Sequence, residues 1–81
     1  MAKLRIKTTR DRIQEAWAAL RAERNRRLTE TDWIAARAYE RGKPVPEAWV
    51  AYRQALRDLP EHLTDEQVLA GNISWPKLPK L

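Results

Sequence analysis

Cysteine and phenylalanine are absent from this 81-residue chain, and glycine occurs only at Gly42 and Gly71. Without cysteine the chain has neither disulfides nor a thiolate metal site, which are the common staples of small domains. Two isolated glycines cannot form a glycine-rich phosphate loop. No apolar run approaches the ~18 residues of a membrane span, and the basic first residues lack the apolar core of a signal peptide. We therefore expect a cytosolic protein without a membrane segment, stabilised by packing alone.

Groups that could converge on a catalytic or metal centre are also few. His62 is the single histidine, and it has one neighbouring acid, Glu61. None of the spacing patterns of zinc sites, P-loops or nucleophile elbows occurs. The adjacent carboxylates Asp65 and Glu66 stand at a predicted helix start, where the helix dipole explains them. We predict no enzymatic activity, no metal site and no cofactor.

The positive charge of the chain belongs to its first third. Residues 1–28 carry nine lysines and arginines against three acids, whereas residues 29–81 carry seven against eight. The arginines of the first third could contact phosphates, but acids interleave with them and they do not form one stripe. The charge therefore predicts solubility or a surface for an acidic partner ahead of nucleic-acid binding. A small basic nucleic-acid-binding regulator is the alternative function.

Helical patterns fill most of the chain, so the predicted fold class is all-α. The predicted architecture is an antiparallel two-helix hairpin with a short connecting helix and extended N- and C-terminal arms. In these terms residues 1–8 are an extended arm, residues 9–71 form the helical hairpin module, and residues 72–81 form an extended Trp-Pro tail.

Capping residues and prolines set the predicted helix boundaries. The first helix is predicted over residues 9–28, after a capping box of Thr8 and Asp11. A short helix over residues 32–41 ends at Gly42, and Pro46 is predicted as the first residue of the second main helix. That helix ends at the Leu59-Pro60 pair, and a second capping box, Thr64 with Gln67, begins one further short turn.

Apolar residues at helical spacing supply the predicted core. A two-helix hairpin has one apolar face per helix and little beneath it, so its own tails or another chain must complete the burial. The predicted core residues are Ile13, Trp17, Leu20, Leu28, Trp49, Tyr52, Leu56 and Leu59.

The predicted partner-binding residues lie in the arm, in the short connecting helix, which we call the elbow, along one edge of the second main helix and in the tail. Arg53 and Arg57 repel each other at this spacing unless an acid is near, which Asp32 or Glu30 could supply within the chain and a partner could supply outside it. Trp75 either folds back over the helices or docks into another protein. The full predicted set is Leu4, Ile6, Trp33, Arg53, Arg57, Trp75 and Pro76.

Three motif blocks occur in a fixed order: RAERNRRLTETDW at residues 21–33, WVAYRQALRDLP at residues 49–60 and ISWP at residues 73–76. In this order they resemble the signature blocks of the phage tail assembly chaperone family, and they extend over most of the chain. The residues that match the family pattern are Arg24, Leu28, Thr31, Asp32, Trp33, Trp49, Tyr52, Arg53, Gln54, Leu56, Arg57, Asp58, Trp75 and Pro76.

The resemblance implies an interaction protein that binds a phage tail fibre protein, usually a trimer, and assists its folding, trimerisation or attachment. It implies the host bacterial cytoplasm as the location during virion assembly, and leaves open whether the protein stays on the virion tail. Self-association and several copies per fibre also stay open. A fibre chain exposes apolar surface and strand edges before it trimerises, and the arm or the tail of this chain could add to such an edge.

Overall fold

The computed structural model describes residues 6–80, and within them the chain forms four α-helices and one 3₁₀ segment. No strand occurs in these residues, so the predicted all-α class is confirmed. Leu4 and most of the predicted arm lie outside the described residues. The elements are α1 (Thr9–Glu30), α2 (Asp32–Glu40), α3 (Glu47–Asp58), the 3₁₀ segment (Leu59–His62) and α4 (Asp65–Ala70).

Both predicted capping boxes form. The Thr8 hydroxyl accepts from the Asp11 backbone N–H at 3.1 Å, and the Asp11 carboxylate accepts from the Thr8 N–H at 3.2 Å. Thr64 and Gln67 make the same reciprocal pair at 3.2 and 2.9 Å. Each box satisfies backbone donors that a helix start leaves without partners, so α1 and the short α4 begin at defined residues.

The helix ends differ from the prediction by one or two residues. α1 continues to Glu30, two residues beyond the predicted end, and α2 ends at Glu40. Gly42 has a φ of 63°, the left-handed conformation that glycine adopts without strain after a helix. The prediction for Pro46 was wrong by one position: its ψ of 139° is extended, so it caps α3 instead of opening it.

The second half of the chain lies along α1. Arg53 of α3 contacts the end of α1, and Asp65 at the start of α4 contacts Trp17 in the middle of α1. α1 packs more extensively against α4 than against α3. A simple two-helix hairpin therefore stays a prediction, although the helical class is established.

The main core is small and lies where α2, α3 and the tail meet. Its buried members are Ile34, Trp49, Tyr52 and Leu56, and Leu56 has no exposed surface. Partly buried Leu28, Val45 and Trp75 pack against this cluster. The rings of Trp49 and Tyr52 meet edge to face with centroids 5.9 Å apart, the geometry favoured by aromatic quadrupoles.

The other predicted core residues lie outside this cluster or at its margin. Leu20 of α1 is buried, as is Val68 of α4, which the sequence analysis did not single out. Ile13, Trp17 and Leu59 are half-buried.

The molecule is elongated, with extents of 62 × 28 × 17 Å and a Cα radius of gyration of 17.2 Å. A compact domain of this length has a radius of gyration of about 12 Å. The accessible surface is 6735 Å², compared with about 5,000 Å² for a compact protein of this mass. Several large apolar side chains stay in contact with solvent, among them Ile6, Tyr39 and Leu78. None of the helices described in residues 6–80 has the length and apolar character needed to cross a membrane.

Candidate interaction surface

Arg53 connects α3 to the junction between α1 and α2. Its Nη1 donates to the Leu28 carbonyl at 2.8 Å and to the Thr31 hydroxyl at 2.7 Å, and its Nη2 donates to the Asp32 carboxylate at 2.8 Å. We call this set of contacts the Arg53 clamp. The planar guanidinium suits it because its fixed N–H groups serve several acceptors at once.

Arg53 and Thr31 are the part of the Arg53 clamp that is largely removed from water, whereas the Asp32 side chain is 63% exposed. The Arg53 side chain is 15% exposed and Thr31 is buried. The Leu28 carbonyl lies in the last turn of α1, where it also accepts from the Thr31 N–H at 3.1 Å and from the Thr31 hydroxyl at 3.0 Å. Of the acids considered for Arg53 from the sequence, Asp32 is the one it contacts. Arg57, one turn further along α3, is exposed and forms no ion pair within residues 6–80, so its partner-binding role stays a prediction.

The Trp-Pro tail returns to the helices at Trp75. The Arg27 guanidinium lies over the Trp75 ring, 4.3 Å from its centroid, and the ring packs against the main core. Such a stack combines apolar burial with attraction between a cation and the face of the ring. Trp75 and Pro76 are both half-buried. This arrangement matches the fold-back alternative for Trp75 and leaves an exposed part of each side chain.

Glu23 organises the cations at the end of α1. Its carboxylate accepts from Arg26 at 2.6 and 3.0 Å and from Arg27 at 2.7 Å. These hydrogen bonds, first those of Arg26 and then that of Arg27, lower the pKa of Glu23 from 4.5 to about 2. Arg26 also pairs with Glu30, and its pKa is raised mainly by its hydrogen bond with Glu23. Two of the arginines that make the first third basic are thus already paired with acids.

A contact that the sequence analysis missed joins α1 to α4. The Trp17 indole N–H donates to the Asp65 carboxylate at 2.7 Å, and Arg21 lies 5.4 Å from the centroid of the same ring. A tryptophan on the apolar face of a helix needs an acceptor for its indole N–H, and this need was the one indication of the contact in the sequence. The sequence could not supply the acceptor, because Asp65 is 48 residues away and is equally well explained by its helix start.

An open concavity lies between α2, the start of α3 and the connection that joins them. It has a volume of about 410 Å³, and its aromatic and proline lining comes from Trp33, Pro44, Pro46 and Trp49. We call this concavity the elbow groove. Trp33 is 46% exposed, so the groove presents an indole to solvent.

Four cations also line the elbow groove. Arg37 and Arg41 come from the end of α2, Lys43 from the connection and Lys80 from the tail. Trp33 was predicted from the sequence as a partner-binding residue, whereas none of these four cations was. Helical periodicity cannot show that a proline-containing connection and the far end of the tail come together.

Of the other predicted partner residues, Ile6 is exposed.

A family model described as phage tail assembly chaperone protein matches residues 17–80. The match takes in most of α1, all of α2, α3 and α4, and the described tail. Comparisons with curated proteins and with solved structures gave no match. The three motif blocks lie inside the matched range, and their side chains meet in the main core and the Arg53 clamp. With the family model covering well over half of its length, the chain belongs to the phage tail assembly chaperone protein family.

Proposed function

We propose that this protein binds a phage tail fibre protein and assists its folding, trimerisation or attachment. The family match over residues 17–80 carries the proposal. The family implies a non-enzymatic role and a protein partner in the phage tail. The tail fibre as that partner, and its trimeric state, are the steps that the proposal adds.

The surface of the chain supports a binding role. Large apolar side chains stay exposed along the molecule, among them Trp33, Val50 and Leu78. Fibre chains carry apolar surface and unpaired strand edges until their subunits associate, and these features cause aggregation. An elongated helical protein with spare apolar surface can cover such regions until trimerisation buries them.

Coexpression with the tail fibre protein of the same phage or prophage tests the proposal. We expect a larger soluble, trimeric fraction of the fibre in the presence of this chain, and copurification of the two proteins. The fibre expressed alone is the control, read by size-exclusion chromatography and native gels. Equal solubility and trimer content without this chain, together with a failure to copurify, would contradict the proposal.

The site of action follows from the same proposal. Assistance during assembly places the protein in the host bacterial cytoplasm, and a chaperone that stays attached would also be found on the virion tail. Mass spectrometry of purified virions distinguishes the two cases: recovery in stoichiometric amounts indicates retention, and absence indicates release after assembly.

A further inference from the structure

We infer that the elbow groove is a docking site for an acidic, extended segment of a partner protein that inserts an apolar side chain. The inference deepens the proposed function, because it names the chemistry recognised on the partner. Only the identity of the protein that supplies this segment, a phage tail protein, rests on the proposed function.

The floor of the elbow groove is apolar and preformed. Trp49 is 6% exposed and packs in the main core against Tyr52, so its position is fixed by the fold. Pro44 and Pro46 restrict the backbone of the connecting segment beside it. A floor of this kind loses little conformational freedom when an apolar side chain enters. The volume of about 410 Å³ lies within the ~300–1,000 Å³ range of ligand pockets.

The charge of the groove has one sign. Arg37, Arg41, Lys43 and Lys80 all line it, and no acidic side chain among residues 6–80 does. None of these four cations forms an ion pair or a side-chain hydrogen bond within the described part of the chain, in contrast to Arg26, Arg27 and Arg53. Cations from three separate segments thus converge, and none of the acids in residues 6–80 is paired with them. An acidic ligand relieves their mutual repulsion, and it gains from the complementary field.

An acidic protein segment fits the groove better than the other occupants that its charge would admit. Single-stranded nucleic acids bind along series of aromatic platforms, whereas Trp33 is the one substantially exposed aromatic among the lining residues. A second copy of this chain would have to present its own acids. The oligomeric state of the chain decides whether a copy does so.

Peptide binding to the full chain tests the inference. The probe is a fluorescein-labelled peptide in which aspartates and glutamates flank one leucine. Its counterpart with asparagine and glutamine in place of the acids tests the role of charge, and oligothymidylate tests nucleic-acid binding. We expect the acidic peptide to bind best. Its amide chemical-shift changes on the labelled chain should concentrate between Trp33 and Trp49.

A matched pair of charge reversals separates local recognition from net charge. Lys43→Glu with Lys80→Glu changes two groove cations that lie outside helices. Arg10→Glu with Arg12→Glu changes the net charge equally at exposed positions of α1. We expect the first pair to weaken peptide binding about tenfold and the second less than about twofold, because rim contacts act locally at moderate salt. Trp33→Ala should also weaken binding.

Several results would overturn the inference. They are no binding of the acidic peptide, equal binding of its neutral counterpart, tighter binding of oligothymidylate, or equal weakening by both charge-reversal pairs. A dimer that Trp33→Ala dissociates would assign the groove to a second copy instead.

Coexpression of the groove variants distinguishes this inference from the proposed function. If the wild-type chain does not copurify with the fibre but binds the acidic peptide, the fibre function fails and the groove assignment stands. If the Lys43→Glu and Lys80→Glu chain copurifies with the fibre as well as the wild type does, the assignment of the groove to the fibre is overturned and the chaperone function stands.

Discussion

At the scale of single residues, several side chains of the three motif blocks contact one another. Arg53 from the second block binds Thr31 and Asp32 from the first. Trp75 from the third block packs against a core that contains Leu56 from the second. Residues by which the chain resembles its family therefore hold its elements together. The cations of the elbow groove lie outside these blocks.

Arg53→Met should reduce the free energy of unfolding by about 2–3 kcal/mol, because it leaves the Leu28 carbonyl and the Thr31 hydroxyl without a largely buried charged donor. Arg57→Met is the matched control on the same helix, and its exposed side chain should cost less than about 0.5 kcal/mol. Urea unfolding followed by far-UV circular dichroism measures both. Equal effects would show that the Arg53 clamp contributes nothing specific.

Residue-level prediction from the sequence succeeded where neighbours along the chain carried the information. The capping boxes need residues three apart, and the spacing of Arg53 and Arg57 indicated that a nearby acid was needed, from Asp32, Glu30 or a partner; Asp32 supplies it to Arg53. The Trp17–Asp65 contact and the elbow groove depend on how distant segments fold together. Lys80 lines the same groove as Arg37 and Lys43 because of the path that the tail follows, and the tail has no helical spacing from which this path could be predicted.

At the scale of elements, the end of α1 depends on its ion pairs. Glu23 lies within reach of both Arg26 and Arg27, and Arg26 also reaches Glu30. Pairs at these spacings support a helix. They support α1 past its predicted end at residue 28, and the bond from Glu23 holds Arg27 where it stacks on the Trp75 ring.

The stability of the chain should therefore fall in acid through Glu23. Its pKa is lowered from 4.5 to about 2 by its bonds with Arg26 and Arg27, so the folded state favours the charged carboxylate. The stabilisation is fully present above about pH 4.5 and is lost as the pH falls towards 2. Thermal unfolding across this window should show a smaller pH dependence in Glu23→Gln than in the wild type.

Glu40→Gln is the control for that measurement. Glu40 is exposed and forms no ion pair in the part of the chain that the structure describes. We expect Glu40→Gln to show the same pH dependence of thermal unfolding as the wild type, so that only Glu23→Gln differs. A Glu23→Gln profile that parallels the wild type over the whole window would contradict the assigned role.

The tail is the second element whose packing can be tested. Trp75→Ala should cost about 2 kcal/mol, less than the 3–5 kcal/mol of a fully buried tryptophan, because the ring is half-buried between Arg27 and the main core. Leu78→Ala, in the same tail and 65% exposed, should cost less than about 0.5 kcal/mol. If Trp75→Ala leaves stability unchanged and only reduces partner binding, the tail belongs to the interface.

At the scale of the whole molecule, the small core accompanies an elongated shape. The main core gathers residues from α2, α3 and the tail near the end of α1, and the remainder of α1 meets α4. The sequence indicated the helices and the shortage of apolar material beneath them. It could not indicate that α4, with six residues, would pack along α1 more extensively than α3 does.

Small-angle X-ray scattering tests this shape. We expect a radius of gyration close to the 17.2 Å of the Cα atoms, independent of protein concentration, with a forward-scattering intensity that corresponds to one chain. A value near 12 Å would indicate a compact monomer and would contradict the elongated arrangement. Forward scattering that corresponds to two chains would indicate that a second copy covers part of the exposed apolar surface.

The four cations of the elbow groove, which form no ion pair within residues 6–80, have a consequence for protein engineering. None of them takes part in the capping boxes, the Arg53 clamp or the buried core, so their charge can be exchanged with little loss of fold. A chain with acids at all four positions loses the favourable interaction of Arg37 and Arg41 with the C-terminal end of α2, about 0.3–1 kcal/mol each, but should otherwise keep its helices and accept a basic peptide instead. The residues that recognise a partner are then separable from those that hold the fold, and the same fold can be given a new binding specificity by changing the charges that line the elbow groove.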